Sequence, residues 1–195
     1  MSRAAAKPSR RTSGQFGRPR MSRSQFRAAL REIRLFLCDV DGVRTSGTVF
    51  MGQGTELKEF NIQDGLGLRV LQKCGLQVGW VSARPSAATR ARAADLKVDY
   101  LHEGSGRKVE AVEGILRKAG LSWNELCFVG DDVVDLGVLR RAGVAVSVAN
   151  GIDEVRAIAD YVTRARGGHG AVREAAELVL KAQGRWDAIV QEHLA

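Results

Sequence analysis

Leu35-Phe36-Leu37-Cys38-Asp39-Val40-Asp41-Gly42-Val43-Arg44-Thr45 is the stretch whose reading decides the fold. Its opening apolar run, Leu35 to Cys38, is short and unbroken, which predicts a buried strand. Two carboxylates, Asp39 and Asp41, follow. Strand side chains repeat every second residue, so this spacing predicts both acids on one side of the strand's C-terminal end. Two acids that converge there repel each other unless a cation or a proton stands between them. Gly42 then allows a sharp turn or a close backbone approach. Taken alone, the same letters also fit an ordinary Asp-Gly turn.

Working outward toward the C-terminus, strand-like runs alternate with helical ones. Thr48–Met51 and Glu56–Phe60 flank Gly52-Gln53-Gly54, a hairpin signal. Leu66–Lys73 reads as a helix stopped by Gly75, with Asp64 a candidate N-cap. Val78–Val81 is a strand that runs into Ser82-Ala83-Arg84-Pro85, followed by a helix through Asp95. Val98–Leu101 is a strand and Arg107–Ala119 a helix. Leu126–Val129 is a strand ending at Gly130-Asp131-Asp132, and Val133–Arg141 is helical. Val144–Val148, Ile152–Ala159, Tyr161–Thr163 and Ala171–Ala182 complete the pattern as strand, helix, strand and helix, with Trp186 in a frayable end.

Such alternation predicts an α/β protein, a Rossmann-like three-layer fold with a parallel sheet covered on both faces. Ligands in such folds bind beyond the C-terminal ends of the strands. Asp39, Asp41, Ser82, Asp131 and Asp132 all fall there, and Lys108 opens a helix over the same edge. This convergence favours a site over a chance turn.

On the N-terminal side, residues 1–24 are rich in Arg, Ser, Ala and Gly without periodicity, which predicts a disordered basic tail ahead of one domain at 25–195. The composition also fits a transit peptide, and Met21 is an alternative start. Gln25–Ile33 reads as a short helical lead-in. The net charge of +8 belongs to this end: eight of the 30 basic residues lie in the acid-free residues 1–27, and the remainder balance the 22 acids. The body therefore carries no basic excess, which argues against a nucleic-acid partner. No apolar run is long enough to span a membrane. Cys38, Cys74 and Cys127 form no CxxC pair, and Cys38 and Cys127, in apolar strand-like runs, read as buried free thiols, which points to the cytoplasm. His102, His169 and His193 lack metal-ligand spacing.

Acids at neighbouring strand ends make an oxygen site for a hard cation, with magnesium (Mg2+) the natural candidate. A carboxylate can attack phosphorus to form an acyl phosphate, and a second can serve as acid and then base. Ser82, Lys108 and backbone N–H groups around Gly42 can hold phosphoryl oxygens as charge develops.

DVDGVRT, VSAR, Lys108 and GDDVVD, in this order, resemble the haloacid-dehalogenase (HAD) superfamily of phosphatases. FNIQDGLGLRVLQ, GGHGAVRE and LKAQGRW extend the likeness, from about Leu35 to Trp186, to its 3-deoxy-D-manno-octulosonate 8-phosphate phosphatases, a step in lipopolysaccharide precursor synthesis. The resemblance implies that Asp39 is the nucleophile and a magnesium ligand, and that Asp41 is the acid/base and ligates through its carbonyl. Asp131 would be the second carboxylate ligand, with Asp132 in the outer shell, while Ser82 and Lys108 bind phosphate. Asn61, Ile62, Gln63, Asp64, Gly65, Arg69, Arg84 and Arg92 match positions that contact the sugar-acid phosphate. For the three arginines a solvated surface charge is the competing reading.

The roughly forty residues between Asp41 and Ser82 accommodate a β-hairpin flap at about 46–61 but no separate cap domain. The resemblance implies closure by a homotetramer, with Gly167-Gly168-His169-Gly170 reaching toward a neighbouring active site. Read without it, that run is a turn before a helix. Arg44 and Ser46 stand where relatives usually carry Leu and Asp, Ala83 replaces a Gly, and Gln63 stands where a basic residue is common. Arg44, Ser46 and Gln63 are expected beside the flap and substrate. Two alternatives accompany the main expectation: a nine-carbon sialic-type acid 9-phosphate as substrate, kept open by Glu56, and a nonenzymatic oligomerisation scaffold.

Overall fold

The computed structural model describes residues 18–52 and 54–194. Of the stretch expected to be unstructured, residues 1–17 lie outside the described residues and 18–24 are structured. Arg18 donates to the carbonyls of Leu139 and Gly143 at 2.7 and 2.9 Å and pairs with Asp160 at 2.9 Å. Helix α1 (Arg23–Glu32) begins two residues before the expected lead-in, because Ser22 caps it. The Ser22 side chain accepts from the Gln25 N–H, and the Ser22 N–H donates back to the Gln25 side chain.

Strand β1 (Leu35–Cys38) follows, then the hairpin β2 (Phe50–Gly52) and β3 (Thr55–Leu57), helix α2 (Ile62–Lys73), β4 (Gln77–Ser82) and α3 (Ala87–Leu96). Next come β5 (Tyr100–Glu103), α4 (Lys108–Ala119), β6 (Leu126–Gly130), a 3-10 turn at Val133–Asp135 and α5 (Leu136–Leu139). β7 (Val144–Ser147), α6 (Asp153–Ile158), β8 (Tyr161–Val162), α7 (Ala171–Ala182) and α8 (Trp186–Glu192) complete the chain.

The six-stranded sheet runs β5-β4-β1-β6-β7-β8 with every pair parallel, and the hairpin stands apart from it. Both faces are covered, which is why the β1 run is continuously apolar. Phe36 and Cys38 pack with Leu68, Trp80, Val172 and Ala176 beneath α1, α2 and α7. Leu35 and Leu37 pack with Val112, Leu116, Phe128 and Val138 beneath α4 and α5. The chain leaves β1 toward β4 and β5 on one side and later returns to β6 on the other. The crevice at the C-terminal end of β1 is therefore the switch point where open α/β sheets bind ligands.

Three local expectations change. Asn61, not Asp64, caps α2: its side chain accepts from the N–H groups of Gln63 and Asp64 at 2.8 and 3.2 Å, so the helix starts at Ile62. The helix expected at Val133–Arg141 is broken into a 3-10 turn and the one-turn α5. The strand expected at Val98–Leu101 slides to Tyr100–Glu103, since Asp99 spends its side chain on the Val78 N–H at 2.8 Å.

Candidate active site

β1 ends at Cys38, one residue before the first carboxylate. From there the chain turns: the Arg44 N–H donates to the Val40 carbonyl at 2.8 Å, and Thr45 Oγ1 accepts from the Gly42 N–H at 3.3 Å. Strand periodicity therefore does not carry from Asp39 to Asp41, and the two acids enter different surroundings. Asp39 is buried and lies 2.8 Å from Lys108 Nζ, with Oδ1 accepting from the Val40 N–H at 2.7 Å. Half-exposed Asp41 faces the flap, with Lys58 Nζ 2.7 Å from Oδ1 and Arg84 Nε 3.5 Å from Oδ2. The Lys58 contact is an ion pair off hydrogen-bonding angle, so Oδ1 accepts no directed bond among the described residues.

Asp39, Asp131 and Asp135 bring carboxylate oxygens within 4.8 Å of one another. Asp135 is fully buried; its Oδ1 accepts from Lys108 at 2.7 Å and its Oδ2 from the Asp131 N–H at 3.0 Å. Burial, and then the neighbouring Asp135 charge, push Asp39 up to about 7. Asp131 is pushed up to about 8 by burial and then by Asp39 and Asp135. Burial pulls the Lys108 ammonium down, but Asp135 and Asp39 outweigh it and hold it above its ordinary range. Asp131 Oδ1 is buried and has no hydrogen-bond partner among the described residues. Crowded carboxylate oxygens with one orphan acceptor fit a hard divalent cation, which can take the place of the protons that crowding favours. Gly42 leaves room for the cluster, since a Cβ there would stand 2.1 Å from Asp131 Oδ2.

Asp132 does not join this cluster. It is exposed, and its carboxylate caps the following 3-10 turn through the Val133 N–H at 2.6 Å. The third acid is Asp135, which carried no expected role. Its signal was present as the last letter of GDDVVD, four residues beyond Asp131. A helical turn there points it back under the strand end.

The residues expected around the sugar scatter more. Ser82 ends β4, and its Oγ donates to the Arg84 carbonyl at 3.0 Å. Arg84 bridges Asp41 and Glu56. Ile62 and Gln63 are exposed on the first turn of α2, and Arg92 lies over Gly65, its terminal nitrogen 2.7 Å from where a Cβ would be. Arg69 instead donates to the Leu96 carbonyl at 3.3 Å, tying α2 to α3. Asp64 is buried and turned away: it accepts from the Gly170 and Arg173 N–H groups at 3.3 and 2.7 Å, so it caps α7. Arg44, expected beside the flap, is fully buried in the core and stacked on Trp80 at 4.9 Å.

The Gly-rich run is packed on the turn that follows β1 within the same chain. The Gly168 N–H donates to the Val43 carbonyl at 2.9 Å, and the Gly167 N–H to the Asn150 side chain at 2.7 Å. His169 is exposed.

Residues 100–174 match the haloacid dehalogenase-like hydrolase family model. The 3-deoxy-D-manno-octulosonate 8-phosphate phosphatase of Escherichia coli (strain K12) is 38% identical over 161 residues, 82% of this chain and 86% of that one. The chain belongs to this phosphatase family. A solved member from Moraxella catarrhalis, in complex with magnesium ion, phosphate ion and KDO, superposes with a TM-score of 0.86 at 38% identity, covering 88% of this chain and 99% of that one. A cobalt-bound member from Haemophilus influenzae gives a TM-score of 0.78 at 34% identity, covering 80% and 92%.

As a family member the chain is a phosphoric monoester hydrolase, and magnesium is the cofactor its acidic cluster suits. Within the family frame the flap also supplies a residue that sequence reading missed, Lys58. Its only sequence signal is a lone cation on the hairpin's second arm, between Glu56 and Glu59. Among the described residues no helix is long and apolar enough to cross a membrane.

Proposed function

We propose that this chain hydrolyses 3-deoxy-D-manno-octulosonate 8-phosphate to the free sugar acid and phosphate, in the cytoplasm, as a step in lipopolysaccharide precursor synthesis. One observation carries the reading: the two acids of DVDG stand in separate charge environments, Asp39 with Lys108 and Asp41 with Arg84 and Lys58. That division supports two roles. Asp39 attacks phosphorus, forming an aspartyl phosphate as the bond to the sugar oxygen breaks. Asp41 gives its proton to that oxygen, then takes one from the water that cleaves the aspartyl phosphate. Lys108 and Ser82 hold the phosphoryl oxygens. Asp39, Asp131 and the Asp41 carbonyl would hold magnesium, which when bound neutralises charge on carboxylates and phosphate.

Arg84, Arg92 and the exposed first turn of α2 are the groups offered to the sugar acid. The homotetramer, with the Gly167–Gly170 loop near a neighbouring site, belongs to the same proposal; exposed His169 is the part of that loop free to reach outward. Phosphate release is to be measured with and without magnesium from the eight-carbon 8-phosphate, nine-carbon acid 9-phosphates and hexose phosphates. The proposal expects magnesium-dependent preference for the eight-carbon acid and no turnover by Asp39→Asn. Preference for a nine-carbon acid overturns the substrate, and turnover by Asp39→Asn overturns the nucleophile.

A further inference from the structure

The flap hairpin has almost no core of its own. Phe50, Met51 and Leu57 are all exposed, and a two-stranded hairpin is marginal without packing. What holds it over the site is polar. Glu56 on β3 accepts from Arg84 and from Ser86 Oγ. Two residues on, Lys58 has a fully buried side chain whose Nζ donates to Thr89 Oγ1 at 3.1 Å and lies 2.7 Å from Asp41. Glu56 itself is 3.8 Å from the same ammonium. Lys58 directly follows β3, and the contacts of Glu56 and Lys58 together turn one polar edge of the flap toward Asp41 and the loop after β4.

A buried ammonium must be compensated, and here the compensating charges are Glu56 on the flap and Asp41 whenever its carboxylate is ionised, as it is for the second, base step. From this geometry we infer that Lys58 is a positioning residue for the reaction: it ties the Asp41 carboxylate to the flap and fixes where that carboxylate stands. Arg84 Nε flanks the other Asp41 oxygen at 3.5 Å, so the carboxylate is held from two sides. Its orientation therefore depends on the flap being docked, and docking depends on Glu56 and Lys58. The inference rests on the phosphatase reading, since it assigns Lys58 a task through Asp41.

The test compares leaving groups. A sugar alkoxide needs a proton to depart, whereas nitrophenolate does not. Lys58→Met and Lys58→Arg are assayed on the eight-carbon 8-phosphate and a hexose phosphate, and by single-turnover nitrophenolate release from p-nitrophenyl phosphate. Lys58→Met is expected to lower kcat on the alkyl phosphates roughly 10²-fold, the low end of what a positioned acid contributes, with KM nearly unchanged. Nitrophenolate release should hold within about threefold, and Lys58→Arg should recover most of the alkyl activity. Equal losses on both leaving groups, or a loss confined to KM, would overturn the inference. If the unaltered protein turns over hexose phosphate but not the eight-carbon acid, the substrate reading fails while the Lys58 comparison still runs. Thermal melting of Lys58→Met beside the unaltered chain separates a detached flap from an unfolded domain.

Discussion

Lys108 and Asp135 form a buried pair: Nζ donates to Oδ1 at 2.7 Å, and neither side chain is more than 2% exposed. The pair sets the charge balance of the whole cluster, because the same ammonium also serves Asp39 and the same carboxylate holds the Asp131 backbone. Asp135 thus acts on two expected magnesium ligands at once.

Asp135→Asn keeps the shape and removes the charge. Magnesium affinity and kcat/KM should each fall about 10- to 100-fold, as when outer partners of metal ligands are lost. Stability should drop by about 3 kcal/mol, since a buried ammonium loses part of its compensation. Calorimetric magnesium titration and denaturant unfolding check both; unchanged values in each would remove Asp135 from the site.

The acidic cluster also sets a pH dependence for the metal-free protein. Asp39 at about 7 and Asp131 at about 8 both lie above the ordinary carboxylate value near ~4. Between those limits the native state holds protons that the unfolded chain has released, so these acids make stability fall as pH rises from about 4 to about 8. Magnesium replaces the protons and cancels the loss, and its affinity should climb over the same interval. Unfolding curves in chelator and in magnesium should therefore diverge with rising pH. Curves that stay parallel across the interval would count against this arrangement of charges.

The sheet and the ends of its strands were legible because parallel-sheet strands are buried on both faces and show as continuous apolar runs, as in Leu35–Cys38 and Leu126–Val129. Asp39, Asp131 and Lys108 followed from their places at those ends. Asp135 carries no expected role because the segment after β6 reads as one helix, whereas Asp132 caps a 3-10 turn and that turn aims Asp135 inward. Asp64 looked like a ligand or a cap for its own helix. Its real partners, the Gly170 and Arg173 N–H groups, lie more than a hundred residues away, and no local pattern encodes that. Lys58 escaped notice for the same reason: its burial comes from Thr89 and Asp41, which the hairpin's own letters do not reveal.

Arg44 carries a stability prediction. It is fully buried on Trp80, and Nε and both terminal nitrogens have no hydrogen-bond partner among the described residues. Arg44→Leu gives up a cation–π contact of about 0.5–2 kcal/mol and the attraction to buried Asp64, but removes a buried guanidinium that has no hydrogen-bond partner among the described residues. The net effect should be stabilisation of about 1 kcal/mol, because a buried charge without hydrogen bonds costs more than its attraction to Asp64 returns. Denaturant unfolding reads it. A destabilised Arg44→Leu would mean that the guanidinium is satisfied in solution.

The Gly-rich loop forms a wall of the turn that carries Asp41. A Cβ at Gly167 would stand 1.7 Å from the Gly42 carbonyl oxygen, and one at Gly168, where φ is +74°, 2.5 Å from the Ser46 nitrogen. Neither clash can be relieved by a side chain, because both are with backbone. Gly167→Ala should therefore shift the turn that carries Asp41 and lower kcat by about tenfold or more, the scale on which small misplacements act. Gly184→Ala is the control: φ is +69° but nothing among the described residues lies within 4 Å of an added Cβ, so it should cost about 1–2 kcal/mol of stability and leave kcat alone. Steady-state kinetics on both variants decide the matter. If Gly167→Ala matches Gly184→Ala in kcat, the loop and the turn are not mechanically joined.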